Sequence, residues 1–398
     1  MSVPLAVRLQ GLRTSIFSEV SAAAATHGAA NLGQGFPDDA PPPHVVAAAH
    51  AALDAGHHQY APGPGIPALR RAVADHQRRF HGHHVDPETE VTITFGATEA
   101  VTAAILALCD PGDEVIVLDP AYDSYPAIIA VAGAVPVRVP IDPPTPQRGW
   151  HLDLDRLAAA FSPRTRLLVL NSPHNPTGLV LSVDELDAIA ATCVRHDVVA
   201  VTDEVYEHLV VHPHPRDEGA VAHHVPLATR PGMAERTITV SSAGKTFSVT
   251  GWKIGWAIAP PPLTTAVRAV KQFLSFAGGT PLQHAVVTAL GSDDDTYAEV
   301  TERNARRHHL LLDHLRAADV AVTPSAGTYF LTVDIASLGY DDGEAYARTA
   351  PAAHGVAVVP LAAFSATPEP VRSLVRLAAC KREEVLVEGV RRLVASRR

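Results

Sequence analysis

Lys245 has the setting of a reactive amine. It lies in Ser242-Ala243-Gly244-Lys245-Thr246-Phe247, just past an apolar run at 237–241. Gly251-Trp252-Lys253-Ile254-Gly255-Trp256 follows closely. Glycines leave room around the amine, and a buried strand behind it lowers its pKa. A neutral amine can condense with a carbonyl. Only four of the 32 basic residues are lysine, and arginine cannot form an imine. Ser242 and Lys253 are suitable phosphate ligands near this lysine.

Three more segments carry candidate groups. Asp203-Glu204-Val205-Tyr206 ends a run apolar on both faces, so the Asp203 carboxylate is expected to be partly buried. A buried carboxylate needs a partner with a proton or a positive charge. A protonated pyridine nitrogen would serve, and so would a neighbouring Lys or Arg. Asn171-Ser-Pro-His-Asn175-Pro-Thr-Gly178 is a loop stiffened by proline, able to hold one amide accurately. Gly96-Ala97-Thr98-Glu99 opens a helical pattern. Its free N–H groups suit a phosphate, though it also reads as an ordinary Thr cap after a glycine turn.

The surrounding pattern puts these groups at neighbouring strand ends. Strands are predicted at 91–95, 115–119, 166–170, 198–202, 237–241 and 255–259. Most are β-branched and apolar on both faces, as in a sheet covered by helices. Helices are predicted at 98–108 and after Ser182, where Ser-Val-Asp-Glu forms a capping box. Alternating strands and helices give an α/β domain with a mainly parallel sheet, whose ligands bind at the carboxyl ends of strands. Helices at 296–318 and 384–395 flank strand-like pieces at 328–334 and 371–378, an α+β pattern. The expected division is a large domain at 46–290 and a small one from 1–45 plus 291–398. Taken together, a phosphate cradle, a buried carboxylate, an Asn, a phenol and a reactive lysine are what pyridoxal 5′-phosphate needs.

Composition narrows the function. The chain has 398 residues, 47% hydrophobic, enough for a large core. A formal net charge of −10 argues against a nucleic-acid partner. No apolar run is long enough to span a bilayer. Nor does a basic stretch followed by a long apolar one open the chain, so no signal peptide is expected. Cys109, Cys193 and Cys380 are expected as reduced core thiols of a cytoplasmic protein. Of the 22 histidines, eleven fall in short groups, His57–His58, His81/His83/His84, His212/His214, His223–His224 and His308–His309, and the rest are scattered singly. None has zinc-site spacing, so they are expected at the surface and no metal is expected.

The motifs resemble those of the fold-type I pyridoxal-phosphate aminotransferases. The carrying segments are NLGQGFP (31–37), QYAPGPG (59–65), GATEA (96–100), NSPHNPTG (171–178), TDEVYEHL (202–209), SAGKTFSVTGWKIGW (242–256) and SLVRLAACK (373–381). They span nearly the whole chain. The resemblance is to the branch holding kynurenine, methionine-type and N-succinyldiaminopimelate aminotransferases. It implies an aspartate aminotransferase-like fold, with a mainly parallel seven-stranded sheet and a smaller α+β domain.

By this resemblance Lys245 is the Schiff-base lysine and proton carrier, and Asp203 keeps the pyridine nitrogen protonated. Asn175 and Tyr206 bond the phenolic oxygen, and Tyr122 stacks on the ring. The Ala97 and Thr98 backbone, Ser242 and Lys253 bind the phosphate. Tyr60 reaches the neighbouring subunit's phosphate, which implies a homodimer with shared active sites. Arg376 grips the substrate α-carboxylate through two parallel hydrogen bonds. Gly35 lies near the same group and Phe17 near the side-chain pocket, where kynurenine-preferring members often carry Trp.

The implied activity is ping-pong transfer of an amino group from an L-amino acid to a 2-oxo acid, 2-oxoglutarate first among them. A C–S β-lyase, or a pyridoxal-phosphate oxidase or cyclase, would use the same residues. A regulator or scaffold on this fold is the non-enzymatic alternative, and the intact Lys245 argues against it.

Overall fold

The computed structural model describes residues 6–10, 16–145, 148–211 and 223–398. Its centre is a sheet ordered Val91–Phe95, Ile254–Ile258, Thr237–Ser242, Val199–Asp203, Thr165–Asn171, Glu114–Asp119, Val135–Asp142 and His151–Leu152. The five strands from Thr237–Ser242 to Val135–Asp142 pair in parallel. Ile254–Ile258 runs antiparallel to both its neighbours. This is the expected seven-stranded sheet, with the two-residue His151–Leu152 added antiparallel at one edge. All six strands located from the sequence are present. The seventh, Val135–Asp142, is half-buried and carries Pro136 and Pro140. Proline lacks the ladder N–H, which hides such a strand from a propensity reading.

Central strands are buried on both faces because helices cover both. Ile116, Leu168 and Ala200 pack into one apolar cluster, and Val117, Val169 and Val201 into another. The helix Val183–His196 starts with the predicted capping box. Ser182 accepts from the Glu185 N–H, and Glu185 accepts from the Ser182 N–H. Such a cap contributes about 1 kcal/mol.

A second, four-stranded antiparallel sheet is ordered Ala321–Thr323, Phe330–Asp334, Leu374–Ala378 and Val359–Pro360. The helices Asp294–Ala317 and Glu383–Ala395 pack together against this sheet. The N-terminal segment joins the same body. Ala30–Asn31 pairs in parallel with Val356–Ala357, and the helix Ile16–His27 packs on Gly343–His354. Buried Trp150 Nε1 donates to Thr332 Oγ1 at 3.0 Å, tying the edge of the large sheet to the small one. Among the described residues no helix is long and apolar enough to cross a membrane.

Candidate active site

A cavity of about 350 Å³ lies at the carboxyl ends of the central strands. Asn171 and Asp203 are register partners there, and Asp203 sits level with Val240. The last two strand residues thus deliver two polar groups to one spot. Lys245 follows from the next strand through the short helix Ala243–Thr246. Phe17, Gly35, Ala97, Thr98, Tyr122, Asn175, Tyr206, Ser242, Lys253 and Arg376 also line the cavity.

Lys245 is enclosed. Its Nζ donates to the Gly35 carbonyl at 3.2 Å and lies 5.6 Å from the Tyr206 ring centre. Burial brings its pKa down to about 8. A minor but usable share of the amine, about a fifth at pH 7.4, is therefore neutral, as a nucleophile requires.

Asp203 is buried, and its surroundings are selective. Tyr125 Oη donates to Oδ2 at 2.7 Å, and the Val205 N–H donates to Oδ1 at 3.3 Å. Asn171 Nδ2 donates to the Asp203 carbonyl at 2.7 Å, fixing the backbone. Burial raises the carboxyl pKa against these bonds and the nearby Lys245 charge. No Lys or Arg forms an ion pair with Asp203 among the described residues, which removes the salt-bridge reading of this carboxylate. A protonated ring nitrogen would complete its partners.

Arg376 comes from the other side. It sits in the small sheet opposite Thr332 and has no exposed surface. Nη1 donates to Asn175 Oδ1 at 2.7 Å, and Nη2 to the Gly33 carbonyl at 3.0 Å. The guanidinium lies 3.8 Å from the Phe330 ring centre, with Phe17 and Phe364 further out at 5.1 and 5.3 Å. Burial lowers its pKa to about 10. Its Nε has no partner, and among the described residues no carboxylate pairs with it. A buried cation of this kind suits an anionic ligand.

The cradle opposite is built by close approach. Gly96 begins the helix Gly96–Leu108 with φ +72°, and a Cβ there would lie 3.0 Å from Lys253 Nζ. A Cβ on Gly255 would come within 2.6 Å of the Gly96 carbonyl carbon. Only glycine at both positions lets the Lys253 ammonium and the helix N-terminus converge. Ser242 borders the same space. The cavity thus offers an anion cradle, a carboxylate, an amine and a guanidinium in one enclosed space. That set fits a phosphorylated pyridine aldehyde together with an amino-acid substrate.

Tyr60 is the one predicted site residue outside this cavity. It is 83% exposed and touches Phe276 edge-on, at 5.5 Å between ring centres. Phe95, Phe273 and Phe276 are also exposed. Sequence reasoning did not single out Tyr125, Tyr329 or Phe330. Tyr125 follows Tyr122 by three residues and could have been found from that spacing. Tyr329 Oη donates to the Gly35 carbonyl, the same acceptor Lys245 uses.

The expectation of surface histidines fails in part. His57, His58 and His84 are exposed, but His224 and His308 are buried, as is the His81 side chain. His212 and His214 lie outside the described residues. The three cysteines are free, as expected, although Cys109 is only half-buried.

This fold and site define a pyridoxal-phosphate-dependent transferase of the aspartate aminotransferase architecture. The family described as "Aminotransferase class I and II" matches residues 28–393, and the chain belongs to that family. It is a pyridoxal-phosphate-dependent aminotransferase, moving an amino group between an amino acid and a 2-oxo acid. The Mycobacterium tuberculosis protein named "Probable N-succinyldiaminopimelate aminotransferase DapC" is 48% identical over 394 residues, 97% of each chain. Escherichia coli methionine aminotransferase is 37% identical over 386 residues, again 97% of each. The structure of the M. tuberculosis N-succinyldiaminopimelate aminotransferase superposes with a TM-score of 0.94 at 49% identity, covering 99% of this chain and 100% of that one. Thermus thermophilus aspartate aminotransferase with maleate gives 0.89 at 34% identity, with the same coverage.

Proposed function

We propose that this aminotransferase takes N-succinyldiaminopimelate as its amino donor and 2-oxoglutarate as its acceptor. The observation that carries the reading is the groove next to the cavity. Phe17, Tyr122 and Ser124 line both the 350 Å³ cavity and a groove of about 950 Å³, which Arg8, Arg138 and Arg348 also border. Glu19, Asp123 and Glu344 border it too, and Arg138 and Arg348 pair with Asp119 and Glu344, so a donor with a long, carboxylate-bearing side chain would find the length it needs and Arg8 as its cation beyond the reacting end. The 48% identity to the M. tuberculosis protein supports the same choice. Phe17, rather than Trp, stands at the mouth.

When bound, pyridoxal phosphate supplies an electron sink for the charge left at the donor Cα. Lys245 would hold the cofactor through its amine and, once free, would serve as the base that carries the donor's Cα proton. Asp203 keeps a proton on the ring nitrogen, and Tyr125 and Asn171 hold Asp203 in place. Asn175 and Tyr206 would bond the phenolic oxygen, and Tyr122 would stack on the ring. The Ala97 and Thr98 N–H groups, Ser242 and Lys253 bind the phosphate. Arg376 fixes the α-carboxylate beside Gly35, which turns the Cα–H bond towards Lys245.

The working form is a cytoplasmic homodimer. Tyr60 stands exposed beside Phe276, and Gly278 lies against Phe95, which precedes the cradle. An apolar patch at the cradle rim, with a phenol on it, suits a partner subunit whose phosphate site Tyr60 completes. Residues 46–290 act as the large domain, and 1–45 with 291–398 as the small one.

The test is a donor comparison. Holoenzyme is given N-succinyldiaminopimelate, methionine or kynurenine, each with 2-oxoglutarate, and glutamate is measured. The expected kcat/KM for the succinylated donor exceeds the others by at least about tenfold, a difference of about 1.4 kcal/mol in the barrier. A higher value for methionine or kynurenine would overturn the donor assignment.

A further inference from the structure

A second buried polar cluster lies behind the segment Asp203–His208, and amino-group transfer makes no use of it. His76, on the helix Pro67–His81, shares a hydrogen bond of 2.8 Å between its Nε2 and His208 Nε2, and a bound ion would displace the shared proton. The Glu207 carboxylate offers an oxygen within 4.8 Å of both. Glu207 is already oriented. Ser241 Oγ donates to Oε1 at 2.6 Å, and His81 Nε2 lies 2.8 Å from Oε2. Glu204, next along the turn, meets His224 Nε2 at 2.7 Å.

The charge balance of this cluster is unusual. Glu204 and Glu207 are buried, and among the described residues neither forms an ion pair with Lys or Arg. Buried carboxylates need a cation, and here only imidazoles are at hand. The cluster thus places two imidazoles and a carboxylate together. The His76 ring is almost fully buried, and its Nδ1 has no partner.

We propose that His76, Glu207 and His208 bind a divalent first-row transition-metal ion. Two nitrogens 2.8 Å apart, each about 2.1 Å from a shared ion, subtend close to a right angle. That is the edge of an octahedron; a tetrahedral site would set them about 3.4 Å apart. A Glu207 oxygen, within 4.8 Å of both nitrogens, would close in on the ion to complete one face of such an octahedron. Glu207, His208 and His81 border a separate cavity of about 300 Å³, which has room for waters on the remaining positions. Ser241 and His81 orient the carboxylate, as outer partners do in metal sites. The ion would join the helix Pro67–His81 to the turn that carries Asp203 and Tyr206. It braces cofactor-facing residues without touching substrate.

The test uses Co²⁺ on the holoenzyme after dialysis against a chelator. Bound metal is counted after desalting, and the coordination is read from the visible difference spectrum. The expected result is one Co²⁺ per chain, with the weak bands of a six-coordinate ion. Glu207→Gln and His208→Ala should each weaken binding at least about tenfold, in line with loss of one ligand. His284→Asn should not, because His284 stacks on His57 elsewhere on the surface. Absence of stoichiometric Co²⁺, or full binding retained in His208→Ala, would overturn the proposal. Thermal unfolding of the unmodified protein gives an answer that needs no variant. A ligand of the folded state raises Tm with concentration. No rise with Co²⁺ would also overturn the site.

Discussion

The two sides of the cofactor cavity are assembled in different ways. The sheet side draws Asn175, Asp203, Ser242 and Lys245 from the ends of three adjacent parallel strands. Each is placed by its own strand, and the ladder fixes their spacing. The opposite side gathers Phe17 and Gly35 from the N-terminal segment, and Phe330 and Arg376 from the small sheet. The Arg376–Gly33 bond joins residues 343 positions apart. On the proposed roles, reaction chemistry sits on the regular side, and substrate recognition on the side built by long-range convergence. Substitutions on the first should stop chemistry, and those on the second should change which substrate is held, or how tightly.

Lys245→Ala is the strongest challenge to this division. It should remove the visible absorbance of the covalently held cofactor and lower amino transfer by about 10³-fold or more, since it takes away both nucleophile and base. A reducible imine persisting at another lysine would break the assignment. Arg376→Ala comes next. Removing a buried cation from its anionic ligand costs about 2–5 kcal/mol, so KM for amino acids should rise by some 30-fold or more. Cofactor absorbance should remain. Equal loss of cofactor and of substrate affinity would make Arg376 a structural residue and erase the contrast.

Tyr125→Phe should act on the sheet side alone. It deletes one hydrogen bond to the Asp203 carboxylate, a contribution of about 1.5–3 kcal/mol. The expected result is about a tenfold or larger fall in kcat with KM little changed, and a reversed pattern would count against the division. The mildest effect is on pH. Capture of pyridoxal phosphate by the apoenzyme needs neutral Lys245, whose pKa is about 8. Below that value the neutral fraction falls about tenfold per pH unit, so the capture rate should rise up to about pH 8 and then level off. A rate independent of pH between 6 and 8 would show that Lys245 is already neutral there.

The same division decides what could be read from the sequence. Six strands and the Ser182 cap were legible because apolar runs and capping residues are local signals. Lys245, Asp203 and Asn175 were legible because strand ends are where ligands bind. Arg376 was placed only through the family resemblance, since no local pattern announces an arginine that meets Asn175 across the fold. Val135–Asp142 was hidden by its prolines. The histidines misled for a related reason. His76, Glu207 and His208 come together only when a helix docks behind the turn, and single residues on two elements leave no spacing to recognise.

The most direct test of amino transfer is a half-reaction. The cofactor-loaded protein is mixed with N-succinyldiaminopimelate and a pool of amino acids, with no 2-oxo acid, and the cofactor is identified by mass. The account predicts pyridoxamine phosphate, together with the oxo acid of whichever donor disappears. Cofactor remaining as pyridoxal phosphate while ammonia and an oxo acid accumulate would contradict it and make the enzyme a lyase.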